Sequence, residues 1–481
     1  MQEAKAERFN KMKRLSLLII ITLASISLLS CSKPEPPLLE QVIESGELRV
    51  MTLNSPTSVY EGPFGPAGLE YELVSRFADY LGLEAKFTYP ETFNQVIPAV
   101  VNRDVHFAAA GLTVTKDRLS KIRFTPSYQT IHSQVVYLSG NHKPRKHEDL
   151  LGKKIEVIAA SSHAELLQNL KKQYPELVWK SSKEASLEQL FQKVLDGEID
   201  FVVADSNEIA INRRYYPKIN IGYDISEPEE LAWAFPHGRD TSLYDKAVEF
   251  IEQIKQSGKL DELLERYYGH VDRLNFVDKR TFWRHVDNRL PKYQDIFIKA
   301  AEQSGYDWHL LAAIGYQESH WNPEAKSPTG VRGIMMLTQA AAKQIGVEDR
   351  LDPEQSIMGG ARYLKRMDKK VPERINYPDR IYLALAGYNV GFGHLEDARI
   401  LTERRGDNPD KWAHVKKHLP DLSNPKVYKT LKRGYARGSE PVNYVDNIRN
   451  FYDLLLWKEK QQEDSEDNNE ESFFDGILNN L

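Results

Sequence analysis

Between Leu48 and Ala204 the chain alternates short apolar runs with longer stretches of helical period. The runs Leu48–Leu53, Val105–Ala110, Gln134–Leu138, Lys154–Ala159 and Ile199–Ala204 predict strands. Between them Tyr71–Leu83, Phe93–Asn102 and Leu187–Leu195 predict helices. Strands that alternate with helices pack as parallel α/β sheets. The pattern stops near Gly269. From about Thr281 to Lys458 apolar positions recur at helical spacing and strand signals are few. The expected architecture is an α/β domain over 47–269, open to division into two similar lobes, followed by a mainly α domain over 270–458.

The two ends follow other rules. Residues 1–14 carry Lys5, Arg8, Lys11, Lys13 and Arg14, and Leu15 to Ser30 carries no charge. This is the layout of a signal peptide over 1–30, too short for an ordinary membrane span. The junction Leu28-Leu29-Ser30-Cys31 resembles a bacterial lipobox. That resemblance implies diacylation of Cys31, and Ser32 after it implies sorting to the outer membrane, with the body facing the periplasm. Leu29 stands where a small residue is usual, so plain cleavage or a retained leader remains open. Cys31 is the only cysteine, so the exported body has no internal disulfide. Residues 31–46 are Pro-rich at their start and are expected to be a tether. Glu463 to Asp475 holds seven acidic residues and no basic one, so 459–481 is expected to be a disordered tail.

The net charge of −5 on 481 residues gives no ground for a nucleic-acid partner. No phosphate loop or nucleotide fingerprint is present. His309 and His320 lack a metal-ligand spacing, so neither a cofactor nor a metal is expected.

The most chemical position is Glu318. Leu310, Ile314 and Glu318 lie four apart and share one helix face, apolar until it reaches the carboxylate. Asp307 is placed to cap a helix over Trp308–Ser319. Desolvation on such a face raises a carboxyl's pKa, and a carboxyl protonated near neutrality can serve as a general acid. A surface Glu at a helix end fits this segment equally well.

Gly46-Glu-Leu-Arg-Val50, Gly68-Leu-Glu-Tyr-Glu-Leu73, Ala109-Ala-Gly-Leu-Thr-Val-Thr-Lys-Asp-Arg118 and Phe124-Thr-Pro-Ser-Tyr128 follow one another in the first half. Asp196-Gly-Glu-Ile-Asp200, Asp205 and Ser257-Gly-Lys-Leu-Asp-Glu-Leu-Leu264 complete the set. In order and spacing these resemble the family 3 extracellular solute-binding proteins, whose fold is a two-lobed periplasmic-binding-protein clamp. The resemblance implies an amino-acid-like ligand, here an amino acid or a muropeptide. Thr113 and Arg118 would hold its carboxylate, Ser162 would add a hydroxyl, and Asp205 would take the amine. A planar guanidinium and a carboxylate are the groups a zwitterion needs.

The second half continues from Glu318 through Ser327-Pro-Thr-Gly-Val-Arg-Gly-Ile-Met-Met-Leu-Thr338, Ile357-Met-Gly-Gly-Ala-Arg-Tyr-Leu364, Ala386-Gly-Tyr-Asn-Val-Gly391 and Glu440-Pro-Val-Asn-Tyr-Val445. This order resembles the soluble lytic transglycosylase catalytic domain, a goose-type lysozyme-like helical fold. The resemblance implies cleavage of peptidoglycan glycan strands by Glu318 alone, acting first as acid and then as base. Ser327, Tyr388, Asn389 and Tyr444 would bind substrate around it. Met336 replaces the family's usual Gln, so no polar role is carried onto it, and Pro441 replaces a Thr. Glu324, Asp352 and Glu440 are the other carboxylates in reach of these motifs, and none has a context that marks a nucleophile. Two other readings stand beside the lytic one. One is a sensor that binds glycan strands without cutting them; the other is a lysozyme-like hydrolase.

Overall fold

The computed structural model describes residues 35–62, 65–271, 276–327 and 330–478. The leader and Cys31 lie outside the described residues. Among those described, no helix is long and apolar enough to cross a membrane.

The α/β half forms two lobes. The first has a five-stranded sheet in the order Glu84–Thr88, Glu47–Met51, Phe107–Ala108, Ala234–Pro236, Ile122–Phe124. The second is ordered Lys180–Ser182, Ile155–Ile158, Phe201–Asp205, Ser133–Leu138, Ile219–Asp224. The chain passes between lobes twice, along Gln129–Ile131 and Glu229–Leu231, which pair antiparallel as a hinge. The sheets are not wholly parallel, as the alternation predicted. Ser133–Leu138 and Ala234–Pro236 each follow a hinge crossing and enter their sheets from the hinge side, so both run antiparallel to their neighbours. The Leu187–Leu195 helix sits where predicted. Ser186 and Gln189 close a capping box at its start, and Leu187, Leu190, Phe191 and Val194 form its buried stripe.

Two expectations need correction. The tether includes a helix, Leu38–Ser45, which buries Val42 in the first lobe's core and closes on Gly46 in the left-handed region. Leu38, Leu39 and Val42 lie on one face, and that apolar stripe outweighs the prolines before it. The acidic stretch does not fall away as a tail either. The helix that begins at Ser439 runs on to Leu478. Extending an existing helix avoids the nucleation penalty, and Glu and Gln are good helix formers.

The second half is a helical bundle around one core. The Trp308–Ser319 helix, apolar from Leu310 to Tyr316, is enclosed by Gln294–Ser304, Pro353–Asp368 and the Ser439–Leu478 helix. Asp307 caps it by accepting the His309 amide at 2.7 Å. Just past its end His320 and Trp321 both take left-handed backbone, at φ 53° and 54°. Two such residues in a row turn the chain sharply back. They are held there because the Trp321 indole is buried and donates to Ala312 O at 2.8 Å.

Candidate active site

Glu318 is half-buried on the last turn of its helix, the turn that the His320–Trp321 reversal terminates. Burial raises its carboxyl from 4.5 to about 7. A hydrogen bond from the Tyr444 phenol to Glu318 Oε1, at 2.6 Å, acts in the opposite direction and is outweighed. The Tyr388 ring stacks on Tyr444 with centroids 6.3 Å apart, and its hydroxyl donates to Met335 O at 3.0 Å. Both tyrosines are buried, and burial raises both phenols, so they stay protonated donors. The apolar wall expected beside Glu318 is therefore completed by two tyrosine rings from the Asp379–Val390 and Ser439–Leu478 helices.

The Gly333–Met336 turn closes another side. The Ser319 hydroxyl donates to Ile334 O at 2.9 Å, and Met335 N donates to Ser356 Oγ at 3.2 Å. Gly333 has φ 81°, and a Cβ there would lie 1.7 Å from Arg350 O. Only glycine lets the turn press this close. The Ser327 hydroxyl accepts the Val331 amide at 3.3 Å, just before that turn in the chain. Asn389 is exposed at the end of its helix and makes no side-chain hydrogen bond among the described residues. The other carboxylates are engaged or solvated: Asp352 caps a helix, Glu440 pairs with Arg437 in solvent, and Glu324 is exposed. One desolvated carboxyl with a phenol donor is the chemistry assembled here.

The clamp's predicted residues also converge. The Thr113 and Ser162 hydroxyls meet across the lobes at 3.2 Å. Arg118 is 3% exposed, donates to Thr113 O and Ala160 O, and faces Glu165 at 3.6 Å. Asp205 is 2.9 Å from His163 Nε2. Burial works to lower the His163 imidazole, but Asp205 outweighs it and the net shift is upward. Glu208 is pushed up to about 8 by burial and by Asp205. His163 and Glu165 were not singled out in the sequence; they lie one and three residues after Ser162, on the same short helix.

A third cluster joins the halves. Asp453, on the long last helix, accepts from Arg214 of the second lobe and faces His270 at 3.0 Å. Burial alone would raise its carboxyl, but Arg214 and His270 hold it below the usual carboxylate range. His270 is lowered to about 3 by burial and by Arg449, so it is neutral. Trp457 stacks on Tyr215 at 5.1 Å, and Lys416 bridges Glu265 and Asp446 at 2.8 and 2.9 Å.

Residues 48–270 match Bacterial extracellular solute-binding proteins, family 3, and residues 295–410 match the Transglycosylase SLT domain. A Membrane-bound lytic murein transglycosylase F of Saccharophagus degradans is 48% identical over 93% of this chain and 89% of its own. One from Ectopseudomonas mendocina is 46% identical over 93% and 91%. A solved arginine-binding protein of T. maritima aligns with 48% of this chain and 99% of its own, at 22% identity and a TM-score of 0.44. Nearly half of all positions are shared along most of the length of such relatives, across both halves, and the chain belongs to the membrane-bound lytic murein transglycosylase F family.

Proposed function

We propose that this chain is a peptidoglycan lytic transglycosylase. It cleaves the β-1,4 bond between N-acetylmuramic acid and N-acetylglucosamine without water and leaves 1,6-anhydromuramyl ends. The observation that carries the reading is Glu318: a lone carboxyl, raised to about 7, in contact with a phenol donor. Protonated Glu318 gives its proton to the glycosidic oxygen as the bond to C1 breaks. The substrate's own acetamido group supports the developing positive charge. The C6 hydroxyl then attacks C1 and returns a proton to the carboxylate. Tyr444 stabilises the carboxylate between the two steps. One group that is acid and then base works best with a pKa near ambient. Ser327, Tyr388 and Asn389 line the approach to it.

The two-lobed half is the ligand-binding regulatory part. Its cleft takes an amino acid or a muropeptide, with Arg118, Thr113 and Ser162 on the carboxylate and Asp205 on the amine. Cys31 is the site of lipidation, and the tethered body works at the periplasmic face of the outer membrane. The support is the charge-free run that leads into the only cysteine.

The test is digestion of purified sacculi by the full chain and by Glu318→Gln, read by mass spectrometry. Anhydro ends, lighter than reducing ends by one water, that vanish in the variant support the reading. Reducing ends would assign a hydrolase instead, and solubilisation at the parent's rate by the variant would leave Glu318 without its role.

A further inference from the structure

The stretch between Ser423 and Ser439 ends six residues or fewer before Tyr444, the donor to Glu318. It follows the helices that begin at Asp379 and Phe392, and it leads into the helix that carries Tyr444. It holds Lys426, Lys429, Lys432, Arg433 and Arg437 and no carboxylate, in a chain whose net charge is −5. All five cations are exposed. Arg437 pairs with Glu440 at 3.0 Å, while the first four make no ion pair among the described residues. The acids nearby are already engaged: Asp397 is buried and accepts the Arg433 amide at 2.7 Å, and Asp421 pairs with Arg405.

The placement is fixed rather than loose. Leu431 packs on the bundle core, Ala436 is buried, and its amide donates to Leu422 O at 3.1 Å. The Arg433 side chain lies over Gly393, so close that a Cβ there would sit 2.8 Å from Nε. Gly393 follows Tyr388 by five residues, and the Tyr388 ring stacks on Tyr444, the donor to Glu318. Tyr428 and Tyr435 stand edge to face at 5.8 Å, with Tyr435 56% exposed. Four cations held near one another without counterions repel, and that arrangement costs stability unless an anion arrives. Among the components of the strand that the cleft would receive, the glycan is neutral where its lactyl carboxyls are amide-linked to peptide, and the stem peptides carry carboxylates.

We propose that Lys426, Lys429, Lys432 and Arg433 form a docking rim for the acidic stem peptides of the strand held in the cleft, so that the enzyme favours peptide-bearing over bare glycan. The inference rests on the glycan-cleaving reading for what occupies the cleft. Each exposed contact is weak, and several act together. The tyrosine pair offers a flat apolar surface beside the cations, suited to the peptide's side chains. The attraction is screened by salt, because all of these charges are in water.

The experiment is co-sedimentation of the full chain carrying Glu318→Gln, the parent for this comparison, with intact sacculi, and with the same sacculi stripped by an amidase, which leaves one lactyl carboxylate on each muramic acid in place of a peptide's several. Binding is read apart from turnover, so it stands even if the products prove to be reducing ends. The parent is expected to bind intact sacculi about tenfold more tightly at low salt, and the preference should shrink as salt rises. The triple variant Lys426→Ala, Lys429→Ala, Lys432→Ala is expected to bind both materials alike. A charge-keeping Lys→Arg triple should restore the preference, which separates lost charge from lost fold. Equal binding of both materials by the parent, or an unchanged preference in the alanine triple, overturns the proposal. So does a loss in that triple confined to sedimentation with anionic phospholipid vesicles, which would assign the rim to a membrane.

Discussion

The phenol of Tyr444 donates to Glu318 Oε1 across 2.6 Å, although the two residues are 126 positions apart in the chain. The bond favours the ionised carboxylate, so it moderates the rise caused by burial. Tyr444→Phe removes the donor and leaves the burial. The expected outcome is a higher Glu318 pKa, a pH–rate profile moved toward higher pH, and a turnover loss of about tenfold to a hundredfold. Rates on sacculi across pH 5 to 9 check it; a profile that keeps its position would show that the bond does not tune the acid.

Glu318 also carries a stability signature. Its folded pKa of about 7 lies above the ordinary 4.5, so the native state binds more proton than the unfolded chain between those values. Stability from this group is therefore present below pH 4.5 and is lost as pH rises through 7. Glu318→Gln should leave stability little changed at pH 4.5. By pH 8 it should raise stability by on the order of 2 kcal/mol. Melting curves at the two pH values test this, and a difference that does not grow with pH would contradict it.

Gly333→Ala tests the turn that presents Met335 to Tyr388. The substitution places a methyl against Arg350 O and forces a non-glycine residue to φ 81°. A loss of at least about 2 kcal/mol is expected, together with reduced turnover. Denaturant midpoints and initial rates measured on the same preparation give both.

Asp453→Asn tests the joint between the halves. It leaves the buried Arg214 guanidinium without its counter-charge while His270 stays neutral. Breaking one member of a buried pair costs about 3–5 kcal/mol, lowered here because Asp453 is about a third exposed. Calorimetry of the full chain should resolve two melting transitions where the parent shows closer coupling. Superimposable traces would mean that the pair does not hold the halves.

Local features are legible in the sequence. The Trp308–Ser319 helix and its Asp307 cap follow from an apolar run behind a capping residue. The Leu187–Leu195 helix follows from its spacing. Glu318 itself was visible, as was the set of Tyr388 and Tyr444 once the motif order was recognised. What closes the site was not. Met335 acts through its main-chain carbonyl, which no side-chain pattern announces. The Arg214–His270–Asp453 cluster draws residues separated by 239 and 183 positions, and each alone reads as an ordinary polar residue. The antiparallel strands depend on which side the chain enters a sheet, a property of the hinge and not of the strand sequence. The helix at Leu38–Ser45 was hidden by prolines just before it.

The Ser439–Leu478 helix bears Tyr444 and Asp453 nine residues apart. At 3.6 residues per turn that is two and a half turns and a rise of about 14 Å, so the two side chains leave from opposite faces. One face meets the Glu318 carboxyl while the other is gripped by the binding lobes. A single residue inserted or deleted between 444 and 453 would swing one face by about 100° relative to the other. Most side chains between the two are buried, so the segment is held by packing as well as by length: its count of residues is a gauge block that sets two sites at once.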